Sequence, residues 1–117
     1  MIAAPDKNHT FDRERPLTSF DDLVKTYEAG VTEVSEHCYQ DIITHIHKEL
    51  IGQEDHLIRE HLLRYRERKE HLHIWTSESF REFFVSGLSY LGIKALPLFE
   101  AKATVNEFEY FGVWSKQ

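Results

Sequence analysis

A chain of 117 residues fits a single domain with one modest core, and 41% hydrophobic residues with 8 Phe, 5 Tyr and 2 Trp exclude a disordered composition. A formal charge of −6, from 20 acids against 14 Lys and Arg, opposes unassisted nucleic-acid binding, because phosphate neutralisation supplies most of that affinity. The one cysteine, Cys38, excludes an internal disulfide and suits a reducing compartment, and no apolar run nears the roughly 20 residues that span a bilayer, so the expected location is the cytoplasm, with no membrane partner.

Residues 1–17, MIAAPDKNHTFDRERPL, open apolar and turn charged, with Pro5 and Pro16 as breakers, and read as an extended or looped arm. Ser19 suits a helix N-cap, with Asp21 and Asp22 in the first turn where negative charge meets the helix dipole and Gly30 as the stop. Phe20, Leu23, Val24 and Tyr27 give that helix its apolar face.

The stretch VTEVSEHCYQDIITHIHKEL spaces Val34, Cys38, Ile42, Ile46 and Leu50 four apart, which predicts one long helix broken at Gly52. A second helical pattern from Gln53 to about Glu70 carries Leu57, Ile58, Leu62 and Tyr65, so the two are expected to form a helical hairpin. At HLHIW the period changes to alternation, which predicts a short strand. Thr76 or Ser77 then caps a helix running to about Leu91, with Phe80, Phe83, Phe84 and Leu88 as its apolar face and Gly92 as its end. IKALPLFEAKAT and VNEFEYFGVWSK read as two strands joined by a turn near 104–106. In the second, Tyr110 and Gly112 face one way and Phe111 and Val113 the other.

The expected fold class is α+β: a helical hairpin and further helices packed on a small sheet that ends in an antiparallel strand pair. It is divided as a charged arm (1–17), a helical region (18–70) and a strand-helix-strand-strand unit (71–117) of a single domain.

Eight histidines make metal binding the sharpest chemical hypothesis. His71 and His73, two apart on a strand, would share a face, one way to offer two ligands to zinc. Glu33, His37, Asp41, His45 and Glu49 follow at four-residue steps on the expected long helix, each step turning about 40°. Yet no HExxH, paired CxxC or spacing that completes a tetrahedral set occurs; the stripe reads as a solvated face and no residue is assigned to metal, with a histidine-rich metal-binding protein kept as an alternative. No serine sits in a GxSxG context, Cys38 reads as a packed thiol within an apolar stripe, and no glycine-rich phosphate loop is present. The arm segment PDKNHTFDRERPLTS gathers charges around Phe11, the composition of a binding loop as much as of a pinned connection.

Three segments carry a family resemblance. IAAPDKNHTFDRERPLTSFDDLVKTYEAG resembles the segment that leaves the fifth strand in a bacterial group of class I S-adenosylmethionine-dependent methyltransferases, with its PDK, TFD and RPLT. HLHIWTSESFREFF is similar to that group's later H-x-H-x-W/F-T-x-E-S-F segment, and NEFEYFGVWSK to its closing strand. The resemblance implies a partial Rossmann-like methyltransferase fold, the carboxyl-terminal half of such an enzyme. The glycine-rich turn and acidic ribose-binding residue of the cofactor half have no counterparts here, so no cofactor is expected for this chain alone, S-adenosylmethionine belonging to the complete family. What the resemblance carries over is the acceptor side: Asp6, Lys7, Asp12, Arg15, His71 and His73 become candidate pocket-lining residues, a histidine among them serving as general base. It implies a non-catalytic binding or assembly module or a truncated remnant, or else the acceptor-binding part of an enzyme completed by another chain that brings the missing half. A half-fold leaves apolar surface uncovered, so a homo-oligomer, a symmetric dimer, is also expected.

Overall fold

The computed structural model describes residues 1–117 and shows a mixed α+β chain whose three strands form one antiparallel sheet. The chain divides into two compact units: residues 1–13 with 74–117, and residues 14–73.

In the first unit, β1 (Ile2–Pro5) and β2 (Ala95–Ala101) flank β3 (Glu109–Lys116) in the order β1-β3-β2. Ile2 lies opposite Gly112 and Ala4 opposite Tyr110, while Glu100 on β2 also lies opposite Gly112. Alternation along β3 therefore places Tyr110, Gly112 and Trp114 on one face, and α4 (Ser77–Tyr90) packs there. Phe80 meets the Tyr110 ring at 5.5 Å between centroids and Phe84 meets Trp114 edge-on at 5.1 Å, while Phe83 stacks on Trp75 at 4.7 Å. Aromatic pairs of this kind contribute about 0.5–1.5 kcal/mol beyond their buried area. The expected turn at 104–106 is a single helical turn, α5 (Ala103–Asn106). The Asn106 side chain fastens it to β3 by accepting from the Phe108 and Glu109 amides at 2.9 and 2.8 Å.

The C-terminal antiparallel pair and the capped helix before it match the sequence expectation; the HLHIW strand does not. Its pairing reduces to one parallel bridge between Trp75 and Asp6, in which the Lys7 amide donates to the Trp75 carbonyl at 2.7 Å. A proline at position 5 has no N–H to extend such a ladder, and the Thr76 cap starts a helix immediately after it.

The second unit holds α1 (Phe20–Glu28), α2 (Gln40–His45) and α3 (Asp55–Glu67). Ser19 caps α1 by accepting from the Asp22 amide, and Gly30 follows it at φ +67°, the left-handed conformation that glycine adopts without a Cβ penalty. The long helix expected over Val34 to Leu50 is not formed. A 3-10 turn at Glu36–Tyr39, α2 and another 3-10 turn at Lys48–Leu50 take its place. Ser35 accepts from the His37 amide and so starts helical structure after Val34, leaving β-branched Val31, Thr32 and Val34 outside it. The buried positions are Tyr39, Ile42 and Ile43, joined by Leu62 and Tyr65 of α3, an i, i+3, i+4 face in place of the four-residue stripe. Cys38 is consequently exposed, where a packed thiol was expected.

Candidate functional site

Asp6 lies just past the end of β1 and is 5% exposed. Its Oδ2 accepts from the Ser77 amide at 2.7 Å and from the Ser77 hydroxyl at 2.9 Å, and its Oδ1 accepts from the Asn8 amide at 2.9 Å. Ser77 Oγ in turn accepts from the Ala103 amide at 3.0 Å. One buried carboxylate thus ties the end of β1 to the starts of α4 and α5. At the head of α4, Thr76 Oγ1 accepts from the Ser79 amide and Ser79 Oγ from the Thr76 amide. With Asp6 on Ser77, the first turn has its amides met by charge and hydroxyl, as its dipole favours. Burial alone would raise the Asp6 carboxyl, but donation from the Ser77 and Asn8 amides and the Ser77 hydroxyl outweighs it and holds the group below the usual aspartate range. A carboxylate this engaged is a clamp.

The six candidate residues divide between the units. With Asp6 in the first unit are Lys7, partly buried, and Asp12, 2% exposed, whose amide donates to Thr10 Oγ1. In the second unit, Arg15 is 1% exposed and grips Asp41 with two bonds, Nε to Oδ2 at 2.7 Å and Nη2 to Oδ1 at 3.2 Å, the forked geometry that guanidinium and carboxylate share. His71 and His73 precede the Trp75 bridge in irregular backbone, so the face-sharing expected of a strand does not apply. Both are exposed, yet the protein around the His73 ring disfavours its charged form and pushes its pKa below the ordinary histidine value. No cluster of three or more His, Cys, Asp or Glu side chains is placed to hold a metal ion.

A second polar cluster went unread in the sequence. The Tyr110 hydroxyl donates to Glu100 Oε1 at 2.6 Å, Trp114 Nε1 donates to the Tyr110 oxygen at 3.2 Å, and Arg81 Nε donates to Glu100 Oε1 at 2.7 Å while its guanidinium lies over the Trp114 ring. Burial opposes ionisation of Glu100, but Arg81 and Tyr110 hold its carboxyl below the usual glutamate range. Burial and the Glu100 carboxylate both push the Tyr110 phenol up. Gly112 makes the cluster possible: a Cβ there would stand 2.7 Å from the Tyr110 oxygen and 2.8 Å from Trp114 Nε1. A glycine between two aromatics on one strand face is a readable signal of such a close crossing.

No family model, curated protein or solved structure matches the chain.

Proposed function

We propose that this chain is a methyltransferase-like acceptor-side module that binds or assembles and does not transfer a methyl group by itself. The observation that carries this reading is the Asp6–Ser77 contact. The PDK segment and the WTSESF segment, which bear the family resemblance at opposite ends of the sequence, meet in one buried hydrogen-bonded joint. The segments likened to the fifth strand and the closing strand are moreover direct neighbours in the sheet. Both are supporting arguments from arrangement, and arrangement is analogy where function is concerned.

A second reading, in which another chain supplies S-adenosylmethionine to this one, draws on His73. Its lowered pKa keeps the imidazole neutral near pH 7, the form that accepts a proton from an acceptor hydroxyl or amine. Incubating the chain with methyl-labelled S-adenosylmethionine and a panel of hydroxyl and amine acceptors separates the readings from a complete enzyme. No transfer is expected from the chain alone, and turnover by it would overturn the proposal.

A further inference from the structure

α4 covers one face of the three-stranded sheet, through Phe80 on Tyr110 and Phe84 on Trp114. The register places Leu96 and Phe99 of β2, Phe111 and Val113 of β3, and Ala3 of β1 on the opposite face. Phe99 meets Phe111 edge-on there, at 6.2 Å between ring centroids. Leu96 and Phe99 are more than half exposed, and Ala3 is exposed as well, so the apolar face lies open to water, as an interaction surface does. Its two ends carry opposite charge. Glu109 stands at one end, two residues before Phe111 on β3. Lys94 stands at the other, two residues before Leu96, and its carbonyl accepts from the Gln117 amide at 2.8 Å, which carries the strand pairing one step past Ala95 and Lys116.

The edges of the sheet are guarded against pairing. β2 carries Pro97 and a register shift between Pro97 and Phe99, and β1 is only four residues long and ends in Pro5, devices that blunt a sheet edge. Face-to-face stacking is the mode left open. A two-fold axis between two stacked sheets runs either along the strands or across them. Along the strands, Glu109 would meet its own copy, and so would Lys94. Across them, at the level of the Phe99–Val113 pair, each Glu109 comes level with Lys94 of the second copy. Neighbouring strands lie roughly 4.8 Å apart, a sideways step that a lysine side chain spans. Charge therefore selects the crossing axis.

We propose that this open sheet face is a homodimer interface, on which a second copy of the chain packs about a two-fold axis crossing the strands, with Phe99 and Val113 at the centre and a Glu109–Lys94 pair at each end. The interface is independent of the methyltransferase-like reading, since none of these residues belongs to the Asp6–Ser77 joint. Sedimentation velocity of the whole chain across a concentration series should show a reversible dimer. Phe99→Glu sets two carboxylates against each other near the axis and should leave a monomer at concentrations where the unaltered chain is dimeric. Lys94→Glu and Glu109→Lys should each weaken the dimer about tenfold, because two symmetric rim pairs turn from attraction to repulsion. The double variant Lys94→Glu with Glu109→Lys reverses both partners and should regain the unaltered affinity, a rescue that a general loss of folding would not give. A chain that stays monomeric, a dimer left intact by Phe99→Glu, single charge variants without effect, or a double variant that restores nothing would each overturn the assignment.

Discussion

Asp6 and Ser77, 71 positions apart in sequence, are joined by two hydrogen bonds to one carboxylate oxygen in a buried setting. Local sequence supplies half of that joint, the Thr76-Ser77 helix start. The other half arrives with the end of β1, whose register on β3 is fixed by Ile2 opposite Gly112 and Ala4 opposite Tyr110.

Breaking the joint should weaken the first unit and its acid tolerance. Ser77→Ala leaves the Ala103 amide without its acceptor and is expected to cost about 1–3 kcal/mol. Because the Asp6 carboxyl is held below its ordinary value of 3.8, its contribution is present above that value and disappears as pH falls through the folded one. Glu100 acts in the same direction. Urea unfolding followed from about pH 6 to 2 should therefore show a shallower acid limb in Asp6→Asn, with the Glu100 share remaining. An acid limb as steep as that of the unaltered chain would refute the assignment.

Gly112→Ala should be costly although no backbone strain is involved. The added methyl meets the Tyr110 oxygen and the Trp114 nitrogen, and Tyr110 is 1% exposed, so its ring has little room to yield. About 1–3 kcal/mol of destabilisation is expected, with a change in Trp114 emission as its bond to Tyr110 is lost. Thermal melts read by fluorescence measure both.

The second unit offers a paired contrast. The Tyr65 hydroxyl is buried with no hydrogen-bond partner in the chain, so Tyr65→Phe should be neutral or stabilising. Arg15→Met, by contrast, strands Asp41 and is expected to cost about 3 kcal/mol or more. Urea midpoints of the two variants should move in different directions or by clearly different amounts, and a large loss in Tyr65→Phe would show that the hydroxyl is satisfied.

Self-association is expected from the apolar residues around the β2–α5 corner, where Leu98, Phe99, Val105 and Phe108 are all at least half exposed. Sedimentation velocity across a concentration series should show a reversible dimer, weakened in Leu98→Glu. A monomer at every concentration would remove this claim.

The sequence made caps and stops legible because they are local. Ser19, Thr76, Gly30 and Gly92 do what their side chains or lack of one dictate at those positions. It misled at Val34 to Leu50, where a four-residue apolar spacing suggested one helix while the Ser35 cap and the 3-10 turn at Lys48 divided the stretch. His71 and His73 looked like a facing pair only because HLHIW alternates, a pattern that one bridge at Trp75 does not extend into a strand. Asp6 was legible as a candidate, but its partner was not, because nothing local in PDK points to a serine in WTSESF. The Arg81, Glu100, Tyr110 and Trp114 cluster depended on the register of two strands, which Gly112 alone hinted at.

We propose that this chain carries acceptor-side structure without a methyl-donor site of its own. Calorimetric titration of the purified chain with S-adenosylmethionine tests it most directly. The expected result is no saturable binding in the micromolar range, with the chain folded as judged by its tryptophan emission. A one-to-one isotherm with micromolar affinity would contradict it.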